Sequence, residues 1–390
     1  MLLPAPDADE AAHSERVLAH VRAAIRAGGG RIPFARYMNL ALHAPGLGYY
    51  AAGRRQFGAQ GDFVTAPELS PLFSRCMARQ CAQVLAGLEG GEILEFGAGS
   101  GVMAAEVLGA LADDRALPRR YLILETSAAL RARQAELLRE RLPASLMRRI
   151  AWLEAPPGKG WQGVVLANEV LDAMPVHRLV KRGGDFLELY VTLADDGSLA
   201  WEEGPLSHPR LAQAPLSCCR DLPEGYVCEV NPAACAWVRG LGAFLEKGVA
   251  LLVDYGYPAA EYYHPQRLAG TLMCYYRHRA HDDPLRWPGL QDITAHVDFT
   301  ALAEAAVSAG LDVKGFASQA AFLQGCGIAE LAVDMAAQAN SPQAQVEQAR
   351  QLRTLLLPGE MGEACKVLAL SRGWDGLLCG FAVRDDRRRL

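Results

Sequence analysis

The stretch ILEFGAGSGVMAAEVL, Ile93 to Leu108, decides how the chain folds. An apolar run ends at Phe96, three glycines follow at Gly97, Gly99 and Gly101, and a helix-like run begins at Val102. Glycine permits positive φ and lets another molecule approach the backbone, while the next helix offers free N–H groups to an anion. In an open parallel sheet, ligands bind beyond the carboxyl ends of the strands, and a first strand–loop–helix unit is the usual place. The competing reading is a tight turn with no ligand. A dinucleotide fingerprint, G-x-G-x-x-G, requires glycine at position 102, where this chain has valine. The pattern here is G-x-G-x-G.

Outward from this loop, strands alternate with helices. EILEF, RRYLILET, RRIAWLEA, GVVLAN, GVALLVDYG, DVKGFAS and CKVLALSRG read as seven strands. Ser70–Pro71 reads as the start of a helix, Ser127 caps another, and further helical runs begin at Asn231 and Asp298. Alternation with near-continuous apolar strands predicts an α/β fold whose mostly parallel sheet is covered on both faces. Residues 176–224 alternate around the hairpin signals RGGD and DDGS, and residues 319–363 look helical; both are expected to be insertions. Residues 1–90 are expected to form a helical and strand-loop extension packing on the cleft of a main domain that spans 91–390.

The totals exclude several classes. With 390 residues, 51% hydrophobic and 21% charged, the chain can bury a large core. Its net charge of −5 argues against a general nucleic-acid surface. The ten cysteines are scattered without a C-x-x-C pair, so no metal site is expected; His278 and His281 lack a third ligand signature. No apolar run reaches membrane-span length, so no membrane insertion is expected. The N-terminus MLLPAPDADEAAHSERVL carries acids where a targeting peptide carries bases, which predicts a cytoplasmic protein.

The glycine loop, preceded by Glu95, resembles the S-adenosyl-L-methionine loop of class I methyltransferases. Further segments make the resemblance specific. GYYAAGRRQFGAQGDFVTAPELSPLF, LEFGAGSG, ANEVLDAMPVHR, LLVDYG and GTLMCYYRHRAHDDP…PGLQDITAHVDF together resemble the MidA family, in this order along the chain. That resemblance implies a class I, Rossmann-like methyltransferase fold with a seven-stranded, mostly parallel sheet and family-specific insertions. It implies S-adenosyl-L-methionine as cofactor and, through the mitochondrial member that assists respiratory complex I assembly, arginine methylation of a protein. The expected partners are a protein substrate, with a respiratory complex subunit as the candidate, and a second copy in a homodimer. Two other functions stay open: a non-catalytic S-adenosyl-L-methionine-binding assembly factor and a nicotinamide-dependent oxidoreductase.

Candidate residues follow from the chemistry. Glu95, Gly97, Gly99 and Gly101 would hold the cofactor, and Glu125 at the end of LILET would bind the ribose hydroxyls. Methyl transfer is an in-line displacement from an activated donor, so alignment carries much of the work, up to about 7–11 kcal/mol. Arginine is a demanding acceptor because guanidinium stays protonated; a carboxylate can orient it and take up its proton. In NEVLDAMP, Asn168 is a cofactor or acceptor contact and Glu169 and Asp172 are the catalytic candidates. Asp172 also fits a turn cap ahead of Pro175. In GDFVTAPE, Thr65 and Glu68 fit a capping box, while the family reading folds the segment over the cofactor with contacts from Asp62 and Thr65 and with Phe63 near the sulfonium. His296 and Asp298 are acceptor-cleft candidates; Asp298 also suits a helix start.

Overall fold

The computed structural model describes residues 3–52, 64–88, 90–218 and 222–390. The chain divides into two compact units, each assembled from separated segments. One unit takes residues 64–170, 237–256 and 302–390; the other takes residues 1–63, 171–236 and 257–301.

The first of these is built on the alternating pattern. Its strands are β1 (Glu92–Phe96), β2 (Tyr121–Leu124), β3 (Ile150–Leu153), β4 (Trp161–Asn168), β5 (Leu245–Tyr257), β6 (Asp312–Ser318) and β7 (Cys365–Arg372). They lie in the order β6-β7-β5-β4-β1-β2-β3. Among these seven strands of the described residues, only β7 runs against its neighbours, so the sheet is mostly parallel. The order reverses between β1 and β4, which places a crevice at their carboxyl ends.

Residue choice explains this arrangement. Every residue of β1 is buried, and Val164 to Ala167 of β4 are buried beside it, as strands covered on both faces require. Helix α1 (Ala66–Leu69) leads into α2 (Pro71–Ala86), and β1 leads into α3 (Val102–Asp113), which packs on α2. Ser70 caps α2 through its side chain, with Pro71 at the first helical position. Helix α4 (Ala128–Arg141) follows β2, and its Ser127 cap accepts from the Leu130 N–H at 3.4 Å. The core joins Leu72, Met77 and Val84 of α2 to Val107 of α3 and to Ile93, Leu166 and Leu251 of the sheet. Truncating Leu166 to alanine at its fully buried position is expected to cost about 2–5 kcal/mol. Residues 319–363 carry helices Gln319–Gly325, Ile328–Ala337, Pro342–Leu356 and Met361–Ala364, on the same unit.

A charge network fastens the amino ends of the strands. Glu92, 1% exposed, accepts from Arg120 Nε at 2.6 Å and from Trp161 Nε1 at 2.8 Å, with Arg119 at 3.4 Å. The opposite, carboxyl ends are left to the glycine loop.

The other unit contains an antiparallel sheet. His177–Arg182 and Asp185–Leu193 form a hairpin across Gly183 and Gly184, with Arg182 opposite Asp185. Both glycines have positive φ, 58° and 92°, as a two-residue primed turn demands. Leu199–Gly204 extends the sheet past the DDGS turn, Arg31–Pro33 pairs on the same central strand, and Val227–Val230 closes the far edge. Helices Ala8–Ala27 and Phe34–His43 bury Val17, Val21, Phe34 and Met38 in this unit's core with Val191 and Ile293.

Candidate active site

The three loop glycines all take positive φ: 61° at Gly97, 56° at Gly99 and 91° at Gly101. At Gly97 the positive φ disfavours any L side chain, and a β-carbon would crowd Val170 Cγ2 at 3.1 Å. Gly101 is the N-cap of α3 and has no side chain to cap the first turn. Of that turn, the Val102 N–H reaches Ser100 Oγ at 3.3 Å. Val102 itself is buried as the first residue of α3, where a dinucleotide-binding loop would need its third glycine.

Two carboxylates stand at the strand ends beside this loop. Glu125 follows β2, is 7% exposed, and accepts the Ser127 N–H at 2.9 Å and Gln134 Nε2 at 3.3 Å. Burial raises its pKa above the ordinary carboxylate value, against the pull of these donors and of Arg131. Glu95, 1% exposed on β1, accepts from Tyr121 Oη at 2.7 Å. Burial pushes its pKa up to about 7; the tyrosine hydroxyl opposes the rise and the Glu125 charge adds to it.

At the end of β4, Asn168 Nδ2 donates to Glu169 Oε1 at 3.3 Å, and the Ala66 N–H reaches the same oxygen at 3.4 Å. Glu169 is a non-glycine residue with φ of 51°, pinned by its own N–H to Val253 O at 2.9 Å. Strained backbone of this kind persists where surroundings over-determine it, commonly at functional sites. Asn168 Oδ1 is buried with no hydrogen-bond partner among the described residues. Such an acceptor is costly when left unmatched and suits an incoming N–H or O–H. The orphaned oxygen and the side-chain-free cradle at Gly97 together fit a polar ligand lying along the loop.

The structure therefore gathers Glu95, Gly97, Gly99, Gly101, Glu125, Asn168, Glu169 and Thr65 in the same unit. Thr65 stands at the N-cap of α1 but makes no side-chain cap, and no capping box forms there. Glu68 accepts instead from the Ser100 hydroxyl, which ties α1 to the glycine loop. Asp62 and Phe63 lie outside the described residues. Asp172, His296 and Asp298 belong to the other unit. There Asp172 is buried near Tyr50, whose hydroxyl donates to Asp292 at 2.8 Å. Asp298 accepts the Ala301 N–H at 3.1 Å at the start of the helix Phe299–Ser308. The His296 N–H reaches Thr271 Oγ1 at 3.1 Å, and its ring lies 5.3 Å from that of Tyr257.

Sequence reasoning missed Glu68, Tyr121, Gln134 and Trp152 as members of the loop's surroundings. One signal was present for Gln134: Leu130, Gln134 and Leu138 share the buried stripe of α4 at a spacing of four, so a polar group sits where the helix faces inward.

The model of a family of S-adenosyl-L-methionine-dependent methyltransferases matches residues 76–317. A protein from Burkholderia thailandensis, crystallised with S-adenosylhomocysteine, is 46% identical, covers both chains completely and superposes with a TM-score of 0.94. The mitochondrial protein arginine methyltransferase NDUFAF7 homolog of Caenorhabditis elegans is 30% identical over 69% of this chain and 67% of its own. The rat mitochondrial protein arginine methyltransferase NDUFAF7 is 27% identical over 93% of this chain and 85% of its own. These relatives overturn the cytoplasmic placement expected from the acidic N-terminus, since they are mitochondrial. The physical reason is simple: terminal composition speaks to a leader peptide, not to the compartment where a fold works. The S-adenosylhomocysteine bound by the Burkholderia thailandensis protein and the valine at 102 of this chain leave the nicotinamide-dependent alternative no better supported than the methyltransferase reading.

Proposed function

Because this chain belongs to the S-adenosyl-L-methionine-dependent methyltransferase family, in its MidA-like branch, we propose that it methylates an arginine side chain of a protein. The observation that carries the arginine reading is Glu169, a carboxylate held in a left-handed conformation at the end of β4, directly after the orphaned acceptor of Asn168. The names of the NDUFAF7 relatives support the same acceptor.

When bound, S-adenosyl-L-methionine supplies a methyl group on a sulfonium, already activated for displacement. The loop Gly97–Gly101 would receive the amino-acid end of the donor, beside the first turn of α3, whose N-cap glycine has no side chain of its own. Glu125 accepts the ribose hydroxyls. Asn168 Oδ1 takes a donor N–H or O–H, with Glu95, Thr65 and Asp62 completing the proposed set. Glu169 grips the acceptor guanidinium, aims one nitrogen, and takes the proton released as the new C–N bond forms. Asp172 is the second carboxylate proposed for catalysis, and His296 and Asp298 the proposed contacts of the acceptor. The 1–90 extension and the two insertions at about 176–224 and 319–363 remain the proposed elaborations of a domain at 91–390.

A respiratory complex subunit is the first acceptor to test, and a homodimer the first assembly. The test is incubation with methyl-labelled donor and the purified acceptor, then mass spectrometry of digested peptides. Methylarginine supports the reading; label on lysine or glutamine ends it.

A further inference from the structure

Gln134 lies wholly buried at the middle of α4, yet all the polar ends of its side chain are matched. Trp152 Nε1 donates to Gln134 Oε1 at 2.9 Å. Gln134 Nε2 donates to Gly99 O at 3.0 Å and to Glu125 Oε2 at 3.3 Å. An indole N–H is a donor only, so it accepts no orientation of the amide except oxygen toward the tryptophan. The amide's two hydrogens are then forced toward the two acceptors, the loop carbonyl and the strand-end carboxylate. Three elements meet in this one side chain: β3 through Trp152, the glycine loop through Gly99, and the end of β2 through Glu125.

We propose that Gln134 is a positioning residue for methyl-donor binding, which locks the Glu125 carboxylate against the Gly99 backbone and is itself locked by Trp152. It rests on the reading above, in which Glu125 binds the donor's ribose. The physical requirement is clear. A carboxylate that must accept two hydroxyls has to be aimed and ionised before the ligand arrives, or the ligand must supply the ordering cost. With the Ser127 N–H on Oε1 and the Gln134 amide on Oε2, each carboxylate oxygen has a fixed donor and keeps lone pairs for a ligand.

Among the described residues, the charged groups that act on Glu125 include Glu95 on the neighbouring strand and Arg131 on α4, which is itself paired with Glu154 at 3.3 Å. Glu95 and Glu125 repel when both are ionised, and Arg131 opposes that repulsion. Removing the Gln134 donor leaves burial and Glu95 to act on a less compensated carboxylate. Donor affinity should then fall, and fall further as pH is lowered.

The experiment is calorimetry of S-adenosylhomocysteine on the full chain, between pH 6 and 8, for a double-mutant cycle of Gln134→Met and Glu125→Gln. Methionine keeps the length and volume of the side chain and removes its donors. Gln134→Met should weaken binding about tenfold to a hundredfold, the range for a lost hydrogen bond to a charged group. The pH at which its affinity falls off should lie above that of wild type. In the Glu125→Gln background the same substitution should cost clearly less, leaving only the part that travels through the bond to Gly99 O. Trp152→Phe, which removes the N–H but keeps a ring, should give a smaller loss with the same pH displacement, and serves if Gln134→Met does not fold.

The outcomes separate. If Glu125→Gln alone binds like wild type, the ribose reading falls and this proposal falls with it. If Glu125→Gln weakens binding but Gln134→Met costs the same in both backgrounds, the ribose reading stands and Gln134 is only structural. A wild-type pH profile in Gln134→Met likewise overturns the positioning role.

Discussion

The hydroxyl of Ser100 donates to the carboxylate of Glu68, so helix α1 is fastened to the glycine loop rather than capped at its own amino end. Ser100 Oγ also accepts the Val102 N–H at 3.3 Å, which makes one hydroxyl a joint between three elements. Ser100→Ala should leave Glu68 without this donor and loosen the loop. Isothermal calorimetry should show S-adenosylhomocysteine bound about threefold to thirtyfold more weakly, the value of one hydrogen bond to a charged group after partial solvation. Unchanged affinity would mean that the joint does not shape the loop.

Tyr121 and Glu95 give a pH prediction. The folded Glu95 carboxyl, at about 7 against an ordinary 4.5, holds its proton after the unfolded chain has released it. Between these values the native state binds more protons than the unfolded one, so stability falls as pH rises and levels above about 7. Glu95→Gln keeps an acceptor for the Tyr121 hydroxyl and removes the ionisation. Urea unfolding of the ligand-free protein should show the variant more stable than wild type by roughly 3 kcal/mol at pH 8, with little difference at pH 4.5. A variant less stable at pH 8 would contradict the burial argument.

Gly97→Ala should be severe for its size. An L-residue at φ of 61° costs about 1–2 kcal/mol, and the added carbon would sit 3.1 Å from Val170 Cγ2. Thermal unfolding should report that cost as a drop of several degrees, and calorimetry should report loss of S-adenosylhomocysteine binding. Retained binding would remove the loop from the site.

Much of this was readable in the sequence, for physical reasons. Three glycines after a buried strand have few other uses, and near-continuous apolar runs marked β1, β4 and the greater part of β5. Even the hairpin at Gly183–Gly184 was signalled by its turn residues. What was not readable depends on pairings far apart in the chain. Nothing local says that Ile32 lies opposite Val191, or that residues 257–301 join residues 171–236 in one unit. Glu68 fits a local capping box by spacing, and only the tertiary position of Ser100 draws it away. Trp152 carries no motif and Gln134 only its place in the buried stripe of α4; their roles arise because α4 and β3 converge behind the loop.

Asn168 offers a test of the orphaned acceptor. Its Oδ1 is buried without a partner, so replacing the side chain by leucine removes a penalty along with the Nδ2 bond to Glu169. Ligand-free stability should change by less than about 1 kcal/mol, whereas S-adenosylhomocysteine affinity should fall about tenfold. Thermal shift with and without ligand reads both. A large loss of stability with normal binding would reverse the assignment and make Asn168 structural.

In the proposed reaction Glu169 takes the proton from an arginine acceptor. Glu169→Gln keeps the shape and an oxygen for the Ala66 N–H but removes the charge. The decisive measurement is the single-turnover rate of methylarginine formation on the protein acceptor, with donor affinity measured in parallel. The rate should fall by about 10²–10⁴-fold, the usual worth of a positioned proton acceptor, with donor affinity within about threefold of wild type. A Glu169→Gln variant that forms methylarginine at the wild-type rate would contradict this role.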